Sequence, residues 1–192
     1  MSVLTLPEDK PAARAQVRAA RRARRDDPAT DRAALAAAYR DGLLQHLAGF
    51  EPGTITAYES WATEPPTEVL ICALQEAGWR VIVPDTLADL RLSWHDAMRP
   101  DVDLGIGGVV AADVALIPGL AIDLDGYRLG QGGGCYDRTL GLLRPGVPVI
   151  AMIFPDELVA SVPRETHDAR VDGVLTTEGV RMRDRGTGRI AP

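Results

Sequence analysis

The strongest constraint on what this chain can fold into is a set of short, β-branched runs, Thr54 to Tyr58, Arg80 to Val83, Val114 to Ile117 and Val147 to Ile153, bounded by Gly or Pro. Runs of this length and composition read as buried strands. Between the first two, Glu64 to Ala77 places Val69, Leu70, Ala73, Leu74 and Ala77 at helical spacing, and Gly78 closes the helix. Thr54 to Val83 is thus a strand-helix-strand unit, the grammar of an α/β protein. The expected fold is a single-domain, open, largely parallel sheet flanked by helices.

Two helices precede the sheet. Pro11 sits in the first turn of a basic N-terminal helix (8–25) that Asp26-Asp27-Pro28 breaks, and a second helix runs from about Thr30 to Leu47, ending near Gly49. The region Thr86 to Val110 is less regular: Leu90 to Trp94 alternates weakly, and Gly105-Ile106-Gly107-Gly108 is expected as a loop. Residues 181–192 are expected as a flexible tail of the domain spanning 1–192.

A chain of 192 residues with 46% hydrophobic content buries one core, and its net charge of -6 argues against general nucleic-acid binding. The only cysteines are Cys72 and Cys135, with no disulfide framework or CxxC metal motif, which fits a reducing, cytoplasmic setting. No apolar stretch has the length of a signal peptide core or a membrane span. Neither a membrane nor a nucleic acid is expected as a partner.

The chemistry concentrates after the Val114 strand, where Gly130, Gly132, Gly133 and Gly134 lead into Tyr136-Asp137-Arg138. Successive exposed amides in such a loop cradle an anion, and a helix from Tyr136 to Leu143 would add its N-terminal amides. A Walker A loop needs Lys-Ser/Thr after its last glycine, but Gly134 is followed by Cys135-Tyr136. From Gly130 the Rossmann spacing reads Gly-x-Gly-x-x-Cys, without the third small residue or a downstream ribose-binding acid. An ordinary glycine turn is the remaining reading from local sequence, strained by the flanking Arg128, Asp137 and Arg138.

Arg128-Leu129-Gly130-x-Gly132-Gly133-Gly134-x-Tyr136-Asp137-Arg138, preceded by Pro118-Gly119-Leu120-Ala121 and Asp123-x-x-Gly126, resembles the signature of the 5-formyltetrahydrofolate cyclo-ligase family. Lys10-x-x-x-Arg14, Glu64-x-x-Thr67, Val83-Pro84 and Val162-Pro163-x-Glu165-x-His167-Asp168-x-x-Val171-Asp172-x-Val174-x-Thr176 extend the resemblance from about Lys10 to Gly179. It implies a three-layer fold like that of phosphosugar isomerases and CoA transferases, in a monomer. It also implies an ATP- and Mg-dependent conversion of 5-formyltetrahydrofolate to 5,10-methenyltetrahydrofolate, with ATP as co-substrate and a reduced folate as substrate.

By the same resemblance, ATP is held by Lys10, Arg14, Arg128, Leu129, Gly130, Gln131, Gly132, Gly133, Gly134, Cys135 and Tyr136. Folate is held by Glu59, Trp61, Glu64 and the loop from Gln131 to Cys135, magnesium by Asp137 and Asp168, and the chemistry falls to Lys10, Glu64 and Arg138. Lys10 stands out independently as the single lysine among 21 Lys and Arg residues. Its compact charge can follow a moving phosphoryl group, and Arg14 lies one turn away on the same face, whereas Arg18, Arg21 and Arg25 continue the stripe as a solvated face. Local readings stay open beside these: Glu64 as a first-turn helix stabiliser, Asp137 as a helix-start cap and Asp168 as a turn residue.

The sequence departs from the family pattern at Cys135, usually the first tyrosine of a pair, and at Gln131, often basic. The usual Gly-Ile-x-Glu-Pro segment is also unrecognisable around Gly105 to Val109. These departures bear on affinity and substrate-side geometry, and a thiol nucleophile at Cys135 is not called for by the implied chemistry. Two other readings compete: a non-catalytic folate or nucleotide sensor of the same fold, and a phosphosugar isomerase-like domain without ATP dependence.

Overall fold

The computed structural model describes residues 5–165 and 168–191. In chain order it forms helices α1 (Lys10–Asp26) and α2 (Arg32–Leu47), strand β1 (Thr54–Thr56), helix α3 (Glu68–Glu76), and strands β2 (Arg80–Thr86), β3 (Leu92–Asp96) and β4 (Arg99–Gly105). Strands β5 (Val114–Pro118), β6 (Ala121–Asp123) and β7 (Arg128–Leu129) follow, then helix α4 (Cys135–Leu140) and strands β8 (Val149–Met152), β9 (Leu158–Val159), β10 (Gly173–Thr176) and β11 (Gly179–Met182).

An eight-stranded sheet has the order β11-β10-β8-β5-β1-β2-β3-β4, and a three-stranded sheet the order β7-β6-β9. Strands β10, β8, β5, β1 and β2 are mutually parallel, with antiparallel β11 at one edge and the β3–β4 hairpin at the other. From β1 the chain crosses through α3 to β2, whereas from β5 it crosses the opposite way to β8. The segments leaving the C-terminal ends of β1 and β5 therefore diverge, opening the crevice in which open α/β sheets bind ligands.

Side-chain alternation sorts the core into two faces. On one, Ile55, Val81, Leu116, Ile150 and Leu175 pack against Tyr39 and Leu43 of α2 and Leu70 and Leu74 of α3. On the other, Ala115, Ile117, Ala151, Ile153 and Val174 meet Ile122 and Leu158 of the small sheet, with Tyr136 and Leu140 of α4. Helix α1 buries Ala13 and Val17 on Leu120, Ala121, Leu129 and Val159, the outer side of that small sheet. The α/β class and the largely parallel sheet flanked by helices are borne out; the second sheet is an addition to them.

Several boundaries differ from the sequence reading. Helix α3 begins at Glu68 and not Glu64, because Pro65 and Pro66 lack amide donors and force extended backbone before them. Glu64 consequently lies in a turn, not in a helix's first turn. The expected loop at Gly105 to Gly108 is instead a 3-10 turn over Ile106–Ala111, and the weak alternation at Leu90 resolves into β3 after Leu90 takes a positive φ of 64°. The expected Tyr136 to Leu143 helix is shorter and starts one residue earlier, at Cys135. Of residues 181–192, expected as a flexible tail, Arg181 and Met182 belong to β11, and the chain then returns to the core: Arg183 bridges Ile190, whose amide donates to Leu124 at 2.7 Å and whose side chain is buried.

Arg21 is the largest departure from the solvated-face reading of α1. Its guanidinium donates to Glu157 at 2.7 and 2.8 Å and to the Gly119 carbonyl at 2.6 Å, with both charged side chains only 2% exposed. The Phe154 amide also donates to Glu157, at 2.9 Å, and Arg24 lies over the Phe154 ring. Removing one partner of a buried pair strands the other charge. Glu157→Ala is therefore expected to cost about 3–5 kcal/mol in urea unfolding, and a loss under about 1 kcal/mol would show the pair to be dispensable.

Candidate active site

A cleft of about 860 Å³ opens where the sheet's crossovers diverge. Tyr58 and Glu59 after β1, Pro84 and Thr86 at the end of β2, and Pro118 and Gly119 at the end of β5 line its floor. Lys10 and Arg14 enter from α1, and the glycine loop from Gly130 to Gly134 closes the facing side. Every residue expected from the sequence to touch ATP, folate or magnesium lines this one cleft. Arg138, expected among the catalytic residues, is not one of the lining residues and donates to the Gly133 carbonyl at 3.0 Å.

The loop's glycines answer local demands. Gly132 and Gly134 take φ of 105° and 66°, where a side chain is strained, and Gly134 starts α4 from that left-handed conformation. A Cβ at Gly130 would stand 2.7 Å from the Arg128 guanidinium folded against it. No amide from Gly130 through Asp137 donates a hydrogen bond to a described residue. Those N–H groups make the donor set for an anion.

Opposite charges in the cleft pair with one another. Lys10 Nζ lies 2.9 and 3.2 Å from the Asp168 carboxylate oxygens and 3.0 Å from Glu165, whose own amide donates to Asp168 at 2.7 Å. Partial burial opposes the Lys10 charge, but the hydrogen bonds to Asp168 and Glu165 outweigh it and hold its pKa above the ordinary lysine value. Arg128, almost fully buried, donates to Asp137 at 2.7 Å. Asp168 thus shares the Lys10 ammonium with Glu165, and Asp137 neutralises an arginine more than it caps a helix.

Among the described residues no cluster of three or more His, Cys, Asp or Glu suits a metal. Magnesium needs less: one or two carboxylates, with phosphate oxygens and water filling its shell. Asp137 and Asp168, hard oxygen donors in the same cleft, fit that requirement when phosphate is present.

Glu64 is buried at the cleft wall. Its carboxylate accepts from the Trp61 amide at 3.0 Å, while Arg32 holds the Glu64 carbonyl at 3.1 Å, so a tight turn points this acid inward. Trp61 is 70% exposed, a broad aromatic face at the mouth. Cys135, in contrast, packs toward Ile82, Leu92 and Trp94.

Some lining residues escaped the sequence reading. Tyr58 lay inside an expected strand, yet its hydroxyl is buried without a partner among the described residues, and burial, then the Glu64 charge, hold its pKa well above the ordinary tyrosine range. Thr86, at the end of β2, and Leu92, at the start of β3, come from the stretch whose pattern is weak, and Glu165 belongs to the closing motif without an assigned role. His167 of that motif lies outside the described residues.

The architecture is that of an open α/β protein with its candidate ligand site at a sheet switch point. The chain belongs to the 5-formyltetrahydrofolate cyclo-ligase family, whose profile matches residues 7–177, and is an enzyme of the ligase class. It is 35% identical over 163 residues to a 5-formyltetrahydrofolate cyclo-ligase of Mycolicibacterium smegmatis, covering 72% of this chain and 84% of that protein. Its fold matches a 5,10-methenyltetrahydrofolate synthetase from Mycoplasma pneumoniae with a TM-score of 0.72 at 23% identity, over 87% of this chain and 98% of that one. A second such synthetase, from Aquifex aeolicus, matches with a TM-score of 0.65 at 20% identity, over 89% and 93% of the two chains.

The loop geometry makes a direct prediction. Tripolyphosphate at about a hundred times its Kd should stabilise the protein by about 2.7 kcal/mol in thermal or urea unfolding. Gly132→Ala, which forces Cβ into a positive-φ site 3.3 Å from Arg14, should abolish that gain. An undiminished gain in the variant would mean that the anion binds elsewhere.

Proposed function

We propose that this chain converts 5-formyltetrahydrofolate to 5,10-methenyltetrahydrofolate, consuming ATP with Mg2+ and releasing ADP and phosphate. The observation that carries the proposal is the convergence of the glycine loop, the single lysine, two hard carboxylates and the buried Glu64 on one cleft. The family relationship supplies the substrate class; the cleft's chemistry supports the nucleotide and the route.

In this reading the loop amides and Arg14 hold the triphosphate, with Arg128 against it. Asp137 and Asp168 would hold magnesium, which supplies charge neutralisation for the phosphate oxygens. Lys10 turns from Asp168 and Glu165 toward the γ-phosphoryl group and stabilises it during transfer to the formyl oxygen. That step forms an oxygen–phosphorus bond and breaks the bond to the ADP leaving oxygen, with alignment and charge compensation as the main demands on the protein.

The phosphorylated formyl carbon is then electrophilic. N10 attacks it, Glu64 accepts or orients the N10 proton, and phosphate departs with the former formyl oxygen, leaving the methenyl bridge. Trp61 and Glu59 hold the folate at the mouth of the cleft. Arg138 contributes from outside the cleft.

An absorbance assay for the methenyl product tests the reading: signal should require 5-formyltetrahydrofolate, ATP and Mg2+ together, and product formation without ATP would contradict it. Lys10→Ala should lower kcat/KM for ATP about a hundredfold. Glu64→Gln should lower kcat about a hundredfold or more with ATP affinity retained. Equal loss of ATP binding and turnover in Glu64→Gln would give this residue a structural role instead.

A further inference from the structure

A glycine loop has no polarity of its own, because each peptide can turn its C=O or its N–H toward a ligand at little steric cost. A carbonyl facing inward would repel a phosphate; an amide would attract it. In this chain guanidinium groups occupy three of the loop's carbonyls. Arg14 Nε donates to the Gly130 carbonyl at 2.9 Å, Arg18 Nη2 to that of Gln131 at 2.8 Å, and Arg138 Nη2 to that of Gly133 at 3.0 Å. Arg18 further donates to the Gln131 side-chain oxygen at 3.0 Å through Nε and 2.8 Å through Nη2.

Arg14 lines the cleft; Arg18 and Arg138 do not. Their hydrogen bonds come from opposite flanks: Arg18 one turn beyond Arg14 on α1, and Arg138 on α4, which follows the loop. The loop amides meanwhile have no acceptor among the described residues. We infer that Arg18 and Arg138 are positioning residues that fix the polarity of the glycine loop, binding its carbonyls from outside so that its amides face the nucleotide phosphates. The inference rests on the proposed nucleotide site and deepens it. Gln131 is the matching half of the device, since its side-chain amide oxygen gives the planar Arg18 fork a second acceptor that a lysine's point charge would not hold in the same way.

The test uses the full chain carrying Arg18→Ala, Arg138→Ala or the conservative Arg18→Lys. MgATP binding and 5-formyltetrahydrofolate binding are measured separately by calorimetry, with the melting temperature alongside. In a Cys72→Ser background, the alkylation rate of Cys135 reports the order of the adjoining loop.

Arg18→Ala is expected to weaken MgATP binding about tenfold, the loss of hydrogen bonds from a charged donor. Folate binding should stay within about twofold and the melting temperature should be unchanged, because these contacts lie at the surface. Cys135 should react faster, Arg138→Ala should act in the same direction, and Arg18→Lys should recover part of the affinity. Wild-type MgATP affinity and Cys135 reactivity in both alanine variants would overturn the inference. So would a lowered melting temperature with parallel loss of both ligands. Failure of the unsubstituted protein to bind MgATP would overturn the proposed nucleotide site, and this inference with it.

Discussion

Helix α1 brings Lys10 and Arg14 to the cleft and Arg18 to the outer side of its glycine loop, yet its apolar seat is narrow, with Ala13 and Val17 its buried apolar residues. What fixes its register is the buried fork of Arg21 on Glu157, reinforced by the Gly119 carbonyl and by Arg24 over Phe154. Gly119 stands just after β5, at the cleft floor, so the same guanidinium ties the helix to the sheet's switch point. Successive residues on a helix turn by about 100°, so a slip of one residue would swing Lys10 and Arg14 off the cleft while burying a wrong side chain. The cleft-facing side of α1 therefore depends on a contact about two turns from Arg14 and about three turns from Lys10.

That arrangement also explains how many charges coexist in one crevice. Lys10 is held by Asp168 and Glu165, and Arg128 by Asp137, so that these two cations and their carboxylates compensate one another at low solvation. On the proposed function, phosphate and magnesium exchange those partners without adding an unpaired charge. The division of labour between cations follows from their shapes. Arginines hold carbonyls and carboxylates in fixed geometry, as Arg18, Arg21 and Arg128 do, while Lys10 offers a compact ammonium on a flexible stem.

The parallel sheet was legible because its β-branched runs are long enough to show their period, and the glycine cluster because no other segment shares its composition. The three-stranded sheet was not: β7 and β9 are each 2 residues long and β6 only 3, too short for alternation to register. The start of α3 is obscured because helical spacing continues back toward Glu64, and only Pro65-Pro66 marks the break that leaves Glu64 in a turn. Arg21 was hidden among like neighbours; only the acid at Glu157, 136 positions away, distinguishes it from a solvated arginine. Tyr58 was likewise absorbed into a strand pattern, since sequence shows burial tendency but not an unmatched hydroxyl.

The central claim is that this cleft joins the nucleotide's terminal phosphoryl group to the formyl oxygen before the ring closes. Turnover of 5-formyltetrahydrofolate carrying a heavy-oxygen label in its formyl group tests that bond most directly, read by mass spectrometry of the released phosphate. The account predicts that the label appears in inorganic phosphate in step with methenyl product. Unlabelled phosphate from a substrate that kept its label until cyclisation would contradict it.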